Sequence, residues 1–302
     1  MDLRDAQPED HEGVAAFTRE TWPEREGGDY IPDIYPEWIE GGNKKTLVVD
    51  ADAEIAGIVQ CVLLSEDEAW CQGMRVNPDF RGTDVSKRLS DGAFDWAREQ
   101  GALVARNMVF SWNTAGLDQS RSVGFEPTTE FRWAHPDPDL AAEPELDILG
   151  DPAAAWRAWT GSETRTQLRG LALDMDESWA ISELTRVDLE RAADEKRVFA
   201  VRENGLRGMA YRSREYDREQ EGESERRAEY GVGAWADLDA VRALFAAISR
   251  DAAAIGADRT RVLIPETART VSDAAYVRAG ISDEPDFVLS ADLTAEQTIN
   301  RH

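Results

Sequence analysis

Lysine is nearly missing from this chain: Lys44, Lys45, Lys87 and Lys196 are the four among 302 residues, and all basic residues together number 34 against 60 Asp plus Glu. The formal net charge of −26 excludes nucleic-acid backbones and anionic membranes as partners, because both select basic patches. The acidic residues are spread through both halves, which sets aside an acidic-tail interaction protein. Such a halophilic composition suits concentrated salt, where a Debye length of about 3 Å at 1 M screens self-repulsion. The charge reads as an adaptation to solvent.

Cysteine and histidine are equally sparse. Cys61 and Cys71 form no C-x-x-C, and two cysteines build no disulfide framework. His11, His135 and His302 lie far apart with no H-E-x-x-H, so neither a metal site nor a triad built on them has support. Nowhere do 18 apolar residues run together, and the opening MDLRDAQPEDHEG lacks a basic region followed by an apolar one. The expectation is a soluble cytoplasmic protein.

What is present is a packed α/β pattern: 42% hydrophobic residues carry enough apolar surface for real cores. DLRDA (2–6) reads as a short strand, and Pro8 to Thr18 as helical. The stretch 21–42 is rich in turns and aromatics, suited to irregular helices or the wall of a site. TLVVD (46–50), AGIVQCVLL (56–64) and AWCQGMRV (69–76) predict an antiparallel meander. A helix follows, with Val85, Leu89, Ala93, Trp96 and Ala97 on one stripe, ending near Gly101. ALVARNMVF (102–110) is a strand, Thr114 to Val123 a helix stopped by Gly124, and FEPTTEFRWAH a strand or hairpin.

The second half repeats this outline. KKTLVVDADAEIAGIV (44–59) aligns with EKRVFAVRENGLRGMA (195–210), placing Gly57 on Gly208; Gly101 matches Gly256, and SVGFEPTTEF (122–131) matches RAGISDEPDF (278–287). Tandem duplication accounts for this. The proline-rich acidic stretch after His135 marks a linker, giving domains 1–138 and 153–302 joined by 139–152.

The chemistry is expected where NPDFRGTDVSKRL (77–89) joins a strand to a helix. Free amides of a first helical turn and the helix dipole converge there on an anion, and Arg81 adds a bidentate donor. VNPDFRG (76–82), with Asn113 twelve residues ahead of the Gly124–Phe125 pair, resembles the GCN5-related N-acetyltransferase (GNAT) superfamily, whose loop Q/R-x-x-G-x-G/A holds the pyrophosphate of coenzyme A. Arg81 takes the first signature position, while Asp84 stands where the first glycine is usual and Ser86 where Gly or Ala is. Asp84 brings a negative charge to an anion loop.

The resemblance implies two GNAT-like domains, each a mixed, mostly antiparallel sheet flanked by helices, with the first binding acetyl-CoA. Met74, Arg75 and Val76 would bind the pantetheine arm, Arg81, Gly82, Thr83, Asp84, Val85 and Ser86 the phosphates, and Asn113 the arm or thioester. The family's usual tyrosine acid is replaced by Ser120, and its frequent base position holds Gln72, which takes no proton. Glu66, Asp67 and Glu68 compete between a water-mediated base, with Glu68 the candidate retained, and a solvated strand edge. Trp22, Tyr30, Tyr35, Trp38 and Trp112 either wall an acceptor pocket or pack in a core. In the second half AWADLDAV (234–241) lacks Arg-Gly, so that domain reads as degenerate, a scaffold, pocket wall or homodimer surface. Tyr276 falls at its acid position when Gly280 is placed on Gly124. The activity implied is acetyl transfer to a primary amine of a small molecule or protein, without a metal; the alternative is a weakly catalytic module that binds or senses acyl-CoA.

Overall fold

The computed structural model describes residues 1–19, 21, 29–52, 54–220 and 223–294. They form two compact units: one holds Met1–Val109, Asn113–Pro127 and the residues from Leu289 on, the other Phe110–Trp112 and Thr128–Val288.

In the first unit, β1 (Asp2–Asp5), β2 (Lys44–Asp50), β3 (Ile55–Leu63) and β4 (Glu68–Val76) form the expected antiparallel meander, and β5 (Val104–Phe110) joins β4 in parallel. Side chains alternate across the sheet, so each face has its own core. On one face Val48, Ile55 and Ile58 pack with Val14 and Phe17 of α1 (His11–Thr18) and with Ile31, Tyr35 and Trp38 of α2 (Ile31–Trp38). On the other, α3 (Val85–Glu99) buries Val85, Leu89, Ala93, Phe94 and Ala97. Leu89 is wholly buried, which contributes about 2–3 kcal/mol. The approach of α3 depends on Gly57, where a Cβ would stand 2.8 Å from Val85 and from the Arg75 carbonyl. The α4 helix (Thr114–Ser122) follows β5.

The second unit takes most of β6 (Glu126–His135), then β7 (Asp147–Leu149), α5 (Pro152–Thr160), α6 (Glu163–Gln167) and a two-stranded ribbon of β8 (Leu171–Leu173) and β9 (Ile181–Glu183). After α7 (Arg186–Asp194) come β10 (Val198–Arg202), β11 (Leu206–Gln220), β12 (Glu223–Trp235), α8 (Leu238–Ala254), β13 (Arg259–Pro265), α9 (Ala268–Tyr276) and β14 (Gly280–Ile281). The strand order is β6-β13-β12-β11-β10-β7, with β12 and β13 parallel. Its core joins Val241, Leu244 and Ile248 of α8 to Val201, Tyr230, Val262 and Ile264 of the sheet.

Several helices of both units end alike. A residue with positive φ closes α3 (Gly101), α4 (Gly124), α8 (Gly256) and α9 (Arg278), and each helix end carries the same pair of return bonds, as in Ala102 N to Ala97 O and Ala279 N to Ala274 O. Arg278, with φ 64°, therefore matches Gly124, and the alignment of Gly280 with Gly124 slips by two residues. Ala274 stands where Ser120 does, and Tyr276, 62% exposed, does not occupy the acid position. Gly208 is confined in the same way as Gly57: a Cβ there would lie 2.7 Å from the Ala234 carbonyl.

The units differ from the division expected at 139–152. That stretch contains β7, which pairs with β10, and the strands at the ends of the two halves are exchanged. Residues 128–135 of β6 lie beside β13 in the second unit, while Leu289–Asp292 of β15 (Asp286–Asp292) lie beside β5 in the first. Proline and acidic composition marks a chain break but carries no information about which sheet a strand joins.

Arg4 ties the start of the first unit together, donating to Asp10 at 2.7 Å and to Asp50 at 2.8 Å. Its hydrogen bond holds the Asp10 carboxyl below the usual range, against the opposing effect of burial. A depressed carboxylate stabilises above its unfolded value, about 3.9, and that contribution is lost as pH falls through the folded value. Asp10→Asn should cost about 1–3 kcal/mol at pH 7 and flatten the acid limb of stability in urea unfolding; an unchanged acid limb would refute this account.

Candidate active site

The β4–β5 ladder is short. It pairs Glu68 with Val104, Ala69 with Ala105 and Trp70 with Arg106, and stops. Both strands run on, β4 to Val76 and β5 to Phe110, with no further ladder pair between them, so a V opens in the sheet. β3 still follows β4 to Val76, with a register shift opposite Val59. Under the V, on the α3 side, lies a cavity of about 20 Å³ lined by Val59, Cys71, Met74, Ser90, Phe94, Asn107, Gln119 and Phe125, among others.

From β4 the chain passes Asn77, whose side chain caps a single turn at Pro78–Phe80, and enters α3 through the exposed residues Arg81–Asp84. Asp84 is the N-cap with φ −78° and ψ 13°, a backbone open to any residue, and Gly82 takes the positive φ of 76°. The loop's need for glycine is met two residues earlier than the signature places it. The Asp84 carboxylate makes no cap hydrogen bond, so it does not occupy the first-turn amides of α3. Arg81 stands three residues before the N-cap, in the same exposed loop.

The equivalent loop of the second unit is closed. Asp237, the N-cap of α8, accepts from Ala240 N at 3.0 Å and is itself held by Arg207 at 2.6 Å. A carboxylate already sits where an anion would bind.

Residues 11–125 match the model of the acetyltransferase (GNAT) family. The first unit carries a GNAT domain. Solved structures similar to nearly the whole chain include a GCN5-related N-acetyltransferase from Sphaerobacter thermophilus, at 12% identity and TM-score 0.60, covering 97% of this chain and 95% of that one. A protein from Thermoplasma acidophilum assigned as an acetyltransferase is 14% identical, with TM-score 0.54 and coverage of 97% and 100%. One from Pyrococcus horikoshii, assigned likewise, is 13% identical, with TM-score 0.52 and coverage of 96% and 89%. At these identities the shared property is the fold. No curated protein sequence matches the chain.

Within the GNAT domain the expected residues separate into those at the V and those away from it. Ser120 is buried in α4, and its hydroxyl oxygen accepts from Asn107 Nδ2 at 3.0 Å. Asn107 Oδ1 is buried with no hydrogen-bond partner among the described residues, and Asn107 lines the cavity. It was not singled out in the sequence, although it is the one uncharged polar residue in ALVARNMVF. Met74 lines the cavity, and its carbonyl accepts from Arg75 Nη1 at 3.1 Å. The Arg75 side chain leads instead to Asp29, at 2.6 Å. Asn113 caps α4, its Oδ1 accepting from Gly116 N at 3.0 Å.

Glu68 sits at the closed end of the ladder, buried and ion-paired with Arg106. Glu66 and Asp67 are on the exposed turn before it. Gln72 donates to Gln60 Oε1 at 2.7 Å and accepts from Trp70 Nε1 at 3.1 Å. Among the aromatics, Tyr35 and Trp38 belong to the core, and Trp38 lies against Gly73 of β4. Tyr30 is 48% exposed below the Arg75 guanidinium; Trp112, 42% exposed and stacked on Phe110, belongs to the second unit. Trp22 lies outside the described residues. No helix among the described residues is long and apolar enough to cross a membrane.

If the Glu68–Arg106 pair fastens the ladder, Glu68→Ala should lower stability by about 3–5 kcal/mol, with Arg106→Met in the same chain restoring most of it. Urea unfolding of the two variants checks this; unchanged stability with lost turnover would make Glu68 a base instead.

Proposed function

We propose that the GNAT domain transfers an acetyl group from acetyl-CoA to a primary amine of a small molecule or protein. The observation that carries this reading is the uncapped N-terminus of α3 at the mouth of the V, beside Arg81. GNAT proteins use acetyl-CoA as donor, and the residues present fit it. The amides of Gly82 to Ser86, with Arg81, hold the diphosphate. The backbone of Met74 to Val76, past the end of the ladder, holds the arm, and Asn113 borders it. Acetyl-CoA supplies an acyl carbon activated as a thioester.

Ser120 is the candidate donor toward the departing sulfur. Because its oxygen already accepts from Asn107, its own proton is directed elsewhere. A serine hydroxyl is a weak acid, so its role is a hydrogen bond rather than full proton transfer. Gln72 takes no proton, and its amide is engaged with Gln60 and Trp70. The amine therefore reacts in its neutral form, and positioning at the V contributes most of the rate. The competing reading, an acyl-CoA sensor without turnover, draws on this same lack of a base. Steady CoA release with any amine of a broad panel excludes it.

Calorimetric titration of acetyl-CoA in concentrated KCl tests the site: Arg81→Ala should weaken binding about 10- to 100-fold, the loss of one or two charged hydrogen bonds. Equal affinity in wild type and variant would overturn the assignment.

With no protein base, kcat/KM should rise tenfold per pH unit toward the acceptor's own pKa, near 10.4 for a lysine-like amine. A plateau at pH 7–8 would reveal a base at the site.

A further inference from the structure

The chain has two cysteines, and the fold puts them in contact. Cys61 on β3 and Cys71 on β4 are directly opposite in the antiparallel ladder, with their Sγ atoms 3.7 Å apart. Both are free and buried. Cys71 is the first residue of β4 beyond the β4–β5 ladder, and it lines the cavity beneath the V.

We infer that Cys71 and Cys61 form a dithiol that reduces an aliphatic disulfide carrying the same phosphate-tipped arm as coenzyme A. The inference rests on the proposed placement of that arm in the first unit. Four observations support it. The arm would deliver its terminal sulfur to the V, where Cys71 stands. The cavity, about 20 Å³, holds one group of about the size of a water molecule beside Cys71, the scale of a single ligand atom rather than a whole ligand. Directly opposed antiparallel residues have Cα atoms about 4.5–5.5 Å apart, inside the range of about 4.4–6.8 Å that a disulfide spans, so the pair can close without moving the backbone. Contact with Cys71, with burial added, pushes the Cys61 thiol up, which keeps Cys61 protonated while Cys71 meets the ligand.

The exchange balances in two steps. Cys71 gives up its proton to water and attacks one ligand sulfur; the ligand S–S bond breaks, a Cys71–ligand disulfide forms, and one thiolate departs and is protonated. Cys61 then gives its proton to water and attacks Cys71 Sγ; the Cys61–Cys71 bond forms as the Cys71–ligand bond breaks, and the second thiolate leaves and is protonated. Two electrons pass from the protein to the ligand, giving two thiols and one protein disulfide. Closing the pair draws Cys71 Sγ out of the cavity toward β3.

The test uses the full reduced chain and coenzyme A disulfide, with released thiol counted and intact mass recorded. The expected result is two thiols per chain and a protein lighter by two hydrogens, formed at least tenfold faster than with cystine, which lacks the arm. Cys61→Ser should release one thiol and keep the ligand as a mixed disulfide; Cys71→Ser should release none. The wild-type stoichiometry needs no variant, so it decides even where a buried serine impairs folding. No thiol release from wild type that binds acetyl-CoA by calorimetry overturns the inference and leaves the acetyltransfer reading standing. Oxidation by cystine at an equal rate overturns recognition of the arm. Failure of both ligands to engage the protein overturns inference and reading together.

Discussion

Three ladder pairs between β4 and β5 govern everything this domain is positioned to do. A fourth pair would zip Cys71 to Asn107 and close the sheet; fewer would let β5 drift from β4. The Glu68–Arg106 ion pair sits at the closed end, taken out of water, where a partnerless charge is costly and a satisfied one fixes register. Because parallel strands have no turn to set their register, a buried charge pair of this kind is a direct way to fix it. The second unit repeats the device: β12 and β13 are parallel, and the buried Glu229 is flanked by Arg214 and Arg261, the latter stacked on Trp133 and Trp179. The first unit keeps an open helix terminus beyond this fastening, and the second fills its own with Asp237.

That difference turns on an aspartate present in both units. Asp84 and Asp237 are both N-caps, yet Asp237 has an extended backbone and reaches the Ala240 amide, whereas Asp84 is already turned and reaches none. Residue type alone does not separate them. What separates them lies two residues earlier: Gly82, with positive φ, brings the first loop into α3 at another angle, where the second loop has Trp235.

Much of the fold was legible because its signals are local. The meander, the stripe on α3 and the helix stops at Gly101 and Gly124 follow from periodicity and glycine, and VNPDFRG marks the loop with a mechanism attached. The site was legible only in part, because several of its interactions join residues distant in sequence. Glu68 read as a solvated edge or a base since its partner, Arg106, lies 38 residues on. Asn107 was passed over inside a strand read from its apolar residues, because its partner Ser120 lies 13 residues on. Cys61 and Cys71 were readable from the hairpin register, but the usual search for a short cysteine spacing passes over strand partners. Tyr276 was misplaced because the left-handed residue closing α9 is an arginine, which no glycine-based alignment finds.

The exchanged end strands carry a consequence for biosynthesis. Leu289–Asp292 flank β5, the strand that forms one arm of the V, yet they leave the ribosome after β1 to β14. Contacts of such long sequence separation form late and slowly. The candidate active site therefore stays unfinished on the nascent chain, however early its own motif emerges. A chain cut short anywhere before that strand leaves β5, one arm of the V, without its outer neighbour in the sheet.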